Sequence, residues 1–226
     1  MSPLDDDTAA PAPVARTRAP RGERVRMTGK ERREQLIDVG RTLFADKGFD
    51  AVTIEEIAAK AGVSKPVVYE HFGDKTGLYE VIVDREITRL VGMVNGALTD
   101  ARHPRELLEK AGMALFDYIE ANRDGFQVLV RPRGVNAPGG FASIIRDVAD
   151  TLSERLVPEF ESRGFSKKLA PMYSQMLVGM VALTGQWWVE ARKPKKDEVV
   201  AHVVNLAWNG LTHLEPKPTL RTTRRR

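Results

Sequence analysis

Apolar residues recur at intervals of three and four along most of this chain, which is the spacing of helices that bury one face. The pattern predicts helices over residues 28–47, 53–61, 65–72, 75–99, 104–119, 127–131, 169–192 and 196–214, and a further helix with its apolar face over 144–156 that ends before Gly164. Residues 132–140, rich in Pro and Gly, predict an internal loop. No stretch alternates apolar and polar residues over a length useful for a strand. The sequence therefore predicts an all-α protein.

The second and third predicted helices are joined by a very short turn. Thr53 and Glu56 form the capping-box pattern that starts a helix, and Gly62 is the residue type that ends one most cheaply. Two residues later Ser64 has the side chain of an N-cap, so the next helix begins almost at once. Two helices connected so tightly cross at a steep angle, which is the helix-turn-helix arrangement.

A run of residues in this segment matches a known pattern without a gap: Thr53-Ile54, Ile57-Ala58, Ala61-Gly62-Val63-Ser64, Val68-Tyr69, His71-Phe72, Lys75 and Leu78. This run resembles the N-terminal signature of TetR-family transcriptional regulators. The resemblance implies an N-terminal three-helix helix-turn-helix DNA-binding module and a larger C-terminal helical ligand-binding and dimerisation domain. We accordingly divide the chain into a basic arm (1–27), the DNA-binding module (28–74), the effector-binding and dimerisation domain (75–215) and a basic tail (216–226).

The third helix presents the predicted DNA-reading surface. Val68 and Phe72 lie four residues apart and should point into the module, which leaves the N-terminal half of the helix outward. A helix N-terminus and a lysine suit phosphate or guanine acceptors, and small apolar side chains suit a thymine methyl group. The predicted DNA contacts are Thr53, Ser64, Lys65, Pro66, Val67, Tyr69, His71 and Lys75. For any one of these residues, it is equally good to interpret the side chain as partly packed in the module, or as exposed without touching DNA.

Composition narrows the class of protein. Hydrophobic residues make up 42% of 226, enough for a packed core, and the absence of cysteine excludes disulfides and thiolate metal sites. No apolar run has the length of a membrane span, and the N-terminus lacks the pattern of a signal peptide. We therefore expect a cytoplasmic protein without a membrane partner.

Charge is concentrated near the N-terminus although the net charge is only +4. Eight Lys or Arg residues between positions 16 and 33 face two glutamates, immediately before the helix-turn-helix. Such a run is often only a solvated segment, but beside a DNA-binding module it can neutralise phosphates or enter a minor groove. The basic residues at 221–226 allow the same two interpretations.

The C-terminal domain carries the predicted effector site and dimer interface. Candidate lining residues for a hydrophobic effector are Phe116, Ile119, Phe126, Tyr173, Met176, Met180 and Trp187, although such residues are more often ordinary core. Trp187 and Trp188 point about 100° apart on a helix, so one should face the interior and the other a neighbouring helix or subunit. The last two helices are apolar nearly all round, which predicts a homodimer formed through them.

These features together predict a dimeric, sequence-specific transcriptional regulator bound to double-stranded DNA. By resemblance to the family, we expect a repressor released from a pseudo-palindromic operator by a hydrophobic small molecule. The alternative is an architectural DNA-binding protein that needs no effector. The four histidines (71, 103, 202 and 213) have unrelated settings and the common hydrolase and phosphate-binding motifs are missing, so we predict no catalytic residue, metal site or cofactor.

Overall fold

The computed structural model describes residues 27–99, 103–131 and 141–220. Within these ranges the chain forms nine α-helices: α1 (Gly29–Lys47), α2 (Ile54–Ala61), α3 (Lys65–Phe72), α4 (Lys75–Leu98), α5 (Pro104–Ala121), α6 (Arg123–Val130), α7 (Phe141–Ser162), α8 (Ala170–Ala191) and α9 (Lys196–Thr212). A single 3-10 turn, Lys167–Leu169, precedes α8. The all-α prediction is confirmed. The predicted loop at 132–140, the arm up to residue 26 and the basic residues at 221–226 lie outside the described residues.

Capping side chains set where the first helices begin. The Thr28 hydroxyl accepts from the Glu31 backbone N–H at 3.2 Å, and the Glu31 carboxylate accepts from the Thr28 N–H at 2.7 Å. The bond from the Thr28 N–H to the carboxylate, and a second from the Thr28 hydroxyl to the same oxygen at 3.0 Å, lower the pKa of Glu31. The capping box predicted at α2 is only half formed: Thr53 accepts from the Glu56 N–H at 3.2 Å, but the Glu56 carboxylate contacts Lys47 of α1 instead. Because Lys47 is a stronger partner than a backbone amide, the reciprocal bond is lost.

Helices α1 to α3 enclose the first apolar core. Its fully buried side chains include Leu36 and Phe44 from α1, Ile57 from α2 and Val68 from α3. The start of α4 completes this core with Leu78, Tyr79 and Ile82, and Val128 enters it from α6. The three-helix module is therefore packed directly against two further helices. We call this module, together with the first turns of α4, the head.

The remaining helices form a second core, which we call the body. Helix α5 lies at its centre, packed on α4, α8 and α9, while α7 packs on α8. Phe116 and Trp188 lie at the centre of this core, with their ring centroids 5.2 Å apart. Gly185 allows α8 to approach α5 closely, since a methyl group there would lie 2.8 Å from Ile119. No helix in the described ranges has both the length and the apolar character needed to cross a membrane.

Helix α6 is longer than its predicted extent. The sequence predicts a short helix over 127–131, whereas α6 begins four residues earlier at Arg123. The residues before 127 include Asn122 and Gly125, which are residue types common in loops. Gly125 is instead a packing residue, because a methyl group on it would lie 2.2 Å from the Glu86 carboxylate.

Candidate nucleic-acid interface

Gly62 adopts the left-handed backbone conformation and so sets the direction in which α3 leaves α2. Gly62 has φ +67° and ψ +35°, and its N–H bonds the Ala59 carbonyl at 3.1 Å. The next amide, Val63 N–H, bonds the Ala58 carbonyl at 2.9 Å. This pair of bonds ends α2 in a turn that an L side chain adopts with strain. Ser64, the N-cap of α3, makes no capping bond through its side chain.

Helix α3 is anchored by one fully buried residue and by an arginine from α1. Val68 has no exposed surface. Arg33 lies over the Phe72 ring, 4.4 Å from its centroid, and donates to the His71 carbonyl at 2.5 Å. A guanidinium stacked on a ring and bonded to a helix C-terminal carbonyl fixes both the ring and the end of the helix. These contacts leave the opposite side of α3 open to solvent.

The open side carries most of the predicted contacts. Ser64, Lys65 and Pro66 are exposed, and Tyr69 is 47% exposed although it is a large aromatic residue. Val67 is half-buried at the edge of this surface. The structure thus brings these five residues together on the N-terminal half of α3. We call them the α3 face.

Lys65 already has an acidic neighbour on this surface. Its ammonium group contacts the carboxylate of Glu55 on α2, and both side chains are about half exposed. The hydrogen bond from Lys65 lowers the pKa of Glu55. An exposed pair of this kind contributes little stability, so Lys65 remains available to an acceptor on another molecule. The contact of Glu55 with Lys65 is not predictable from the sequence, because only the crossing of α2 and α3 brings the two side chains together.

Three of the predicted contacts lie apart from the α3 face. Thr53 is exposed at the start of α2, where its hydroxyl already caps the helix. His71 is half-buried and its carbonyl accepts from Arg33. The Lys75 ammonium donates to the carbonyls of Phe49 at 3.0 Å and Val52 at 2.9 Å, within the head. We leave Lys75 out of the candidate DNA surface, because two of its three protons are already bonded.

The predicted effector residues fall into three separate environments. Phe116, Ile119 and Phe126 are fully buried in the core of the body. Tyr173 packs on Phe160 in a smaller cluster near the start of α8, with ring centroids 5.3 Å apart. The rest lie on α8 away from both: Met180 is half-buried, and Met176 and Trp187 are exposed. In the single chain the seven residues therefore have three different surroundings.

The two adjacent tryptophans separate as their spacing predicts. Trp188 is buried in the body, and its indole N–H donates to the Pro194 carbonyl at 2.8 Å. Trp187 points outward and is 53% exposed. It lies on one side of α8 with other large apolar side chains, which we call the α8 stripe: Met172, Met176, Leu183 and Trp187. Leu206 on α9 is a further exposed apolar residue, at 67%.

A helix-turn-helix formed by α2 and α3, followed by a helical body, is the architecture of a DNA-binding transcription regulator. Residues 36–82 match the family model described as bacterial regulatory proteins of the tetR family. Residues 104–210 match the model of the tetracyclin repressor-like C-terminal domain. The chain belongs to the TetR family of transcriptional regulators.

Known proteins with similar sequences or structures support this assignment. The HTH-type transcriptional activator FasR of Mycolicibacterium smegmatis is 34% identical over 84% of this chain and 87% of its own. The HTH-type transcriptional repressor KstR2 of the same organism is 35% identical over 39% of this chain and 43% of its own. A TetR-like transcriptional regulator from Rhodococcus sp. RHA1 has a similar structure, with a TM-score of 0.68 at 27% identity, covering 84% of this chain and all of the other.

Proposed function

We propose that this protein is a dimeric, sequence-specific regulator in which the α3 face of each subunit reads one half of a pseudo-palindromic operator. The observation that carries the proposal is the division of α3 into two sides. Val68 is fully buried, whereas Lys65, Pro66 and Tyr69 are exposed. A helix anchored by one side and polar or small on the other can enter a major groove without unfolding its module.

Each residue of the α3 face has a role that its chemistry suits. The Lys65 ammonium exchanges the Glu55 carboxylate for a guanine edge or a phosphate oxygen. Pro66 and Val67 offer apolar contact to a thymine methyl group. The Ser64 hydroxyl, which makes no capping bond, and the Tyr69 hydroxyl donate to phosphates.

The α8 stripe supports a homodimer through the last two helices. Its four apolar side chains follow one another at helical spacing, and each is at least 44% exposed. A contiguous apolar surface of this kind marks a protein interface more often than it is left in water. A two-fold axis through this surface would present two α3 faces to one duplex, which is how such modules gain specificity.

A hydrophobic effector remains part of the proposal, and the body core around Phe116, Ile119 and Phe126 is where we place it. These side chains are fully buried, and α8 approaches Ile119 of α5 closely at Gly185, so a ligand that enters beside Ile119 must displace side chains or part α5 from α8. The same packing favours the second candidate, a DNA-binding protein that needs no effector. Titration of the protein–operator complex with hydrophobic metabolites separates the two candidates, since a ligand changes affinity only if it favours one arrangement.

We retain repression as the expected direction of regulation, since a dimer on an operator can block polymerase. The relatives include both an activator and a repressor, FasR and KstR2. Direction depends on where the operator lies relative to its promoter, so a reporter with the operator moved upstream and downstream would test it.

The DNA-reading proposal is tested with a duplex that wild-type protein selects from a random pool. Lys65→Ala and Tyr69→Ala should each weaken binding by about tenfold or more, since one good contact is worth on the order of 1–3 kcal/mol. Lys168→Ala, an exposed lysine in the body, is the matched control and should bind like wild type. Unchanged affinity in both α3 variants would remove this face from the contact surface.

A further inference from the structure

A buried carboxylate lies where the head meets the body. Glu86 is 2% exposed and lies on α4 one turn beyond Ile82 of the head core and one turn before Leu90 of the body core. A carboxylate is costly to bury unless it is bonded on all sides. Neither the α3 face nor the α8 stripe uses this group.

The partners of Glu86 come from both parts of the molecule. Arg41 of α1, in the head, contacts one carboxylate oxygen at 3.4 Å. Tyr118 of α5, in the body, donates its hydroxyl to the other oxygen at 2.8 Å. Arg89, one turn further along α4, lies 3.2 Å from the carboxylate and also donates to Asn122 between α5 and α6 at 3.0 Å.

The surroundings allow the carboxylate little freedom to move. Tyr118 is fully buried, so its hydroxyl has no water to bond in place of Glu86. Burial, followed by the charge of Glu86, raises the pKa of Tyr118, which therefore stays a donor at neutral pH. Gly125 of α6 completes the enclosure, because any larger residue there would meet the carboxylate.

We propose that Glu86 is a positioning residue that fixes the orientation of the head on the body. This inference rests on the proposed function, in which two heads read one operator together. One carboxylate joined to α1 and α5 sets the angle at which α1 leaves the body, and with it the direction of α3. In a dimer that angle determines the separation of the two α3 faces. Losing the charge should therefore relax the spacing between half-sites, while each head keeps its own fold and base contacts.

A merely stabilising ion pair would behave differently, and Glu86→Gln distinguishes the two roles. The substitution keeps the shape and removes the charge. Binding of the full-length protein is measured to a duplex with one half-site, to the selected operator, and to operators with one or two base pairs inserted between the half-sites. We expect unchanged half-site affinity, about tenfold weaker binding to the operator, and a smaller penalty for each insertion than in wild type.

Two controls accompany this variant. Asp84→Asn removes an exposed charge from the same helix and should behave like wild type. Tyr118→Phe removes only the hydroxyl and should shift the insertion penalty in the same direction as Glu86→Gln; it provides the test if Glu86→Gln does not fold. Equal losses on half-site and operator, or an insertion penalty identical to that of wild type, would overturn the inference. A wild-type protein that prefers no palindrome would instead overturn the proposed function.

Discussion

Replacing Trp187 with alanine should weaken the proposed dimer strongly while leaving each subunit folded. Trp187 is 53% exposed in the single chain, whereas Trp188 beside it is 7% exposed and packs in the body. Leu183, on the same side of α8, is 63% exposed. Truncating Trp187 thus removes surface that a partner would cover and leaves the buried Trp188 in its place in the body core.

The expected loss follows from the exposed area. A tryptophan presents roughly 200 Å². With 53% of it exposed, about 100 Å² is left for a partner to cover. At ~25 cal/mol per Å², covering that area contributes about 2.5 kcal/mol. A two-fold interface contains the residue twice, so the loss per dimer is about 5 kcal/mol. The dissociation constant should then rise on the order of a thousandfold.

Sedimentation velocity over a dilution series measures this change directly. Leu220→Ala is the control, because Leu220 is 72% exposed but lies beyond the end of α9. Circular dichroism should show the same helix content in both variants. If Trp187→Ala stays dimeric at the same dilutions as Leu220→Ala, or if wild type sediments as a monomer, the α8 stripe is not the interface.

Three further predictions concern the stability of the folded chain and are checked by urea unfolding at fixed protein concentration. Gly125→Ala should destabilise the protein by about 2 kcal/mol, since the methyl group would lie 2.2 Å from the Glu86 carboxylate. By contrast, Gly92→Ala on the open side of α4 should stabilise the protein by up to about 1 kcal/mol. Tyr118→Phe should cost about 2 kcal/mol at neutral pH. Because the folded state raises the pKa of Tyr118, that difference from wild type should persist up to about pH 10 and shrink at higher pH; a difference independent of pH would contradict this assignment. Thr28→Ala should cost about 1 kcal/mol through loss of the α1 cap, and Thr28→Ser should restore it.

Local signals were sufficient to predict most of the fold. The caps at Thr28 and Thr53 and the glycine at 62 act within a few residues of themselves, so the helices begin and end close to where the sequence places them. The side of α3 that faces inward was also predictable, because helical spacing alone places Val68 on the buried side. The resemblance to the family added the prediction of a second, larger helical domain.

Contacts between distant parts of the chain were not predictable from these signals. Arg33 reaches the end of α3 across 38 positions, and Arg41 reaches Glu86 across 45. In the sequence Arg33 belongs to a basic run and Glu86 to an ordinary amphipathic helix, so neither has a local pattern that indicates its partner. Which core each effector candidate enters was not predictable for the same reason. Aromatic and methionine residues at helical spacing show that a side chain is apolar, but not which of several cores it enters.

The head and the body are joined through two helices, and this limits how any signal can pass between them. Helix α4 contributes Ile82 to the head core and Leu90 to the body core. Helix α6 contributes Val128 to the head core, and its Val128 carbonyl accepts from the Tyr79 hydroxyl of α4 at 3.4 Å. Packed cores shift between discrete arrangements rather than deforming smoothly. A ligand that parted α5 from α8 would therefore reach the α3 face through α4 and α6, and the Glu86 carboxylate of α4 lies against Gly125 of α6 where the two helices meet.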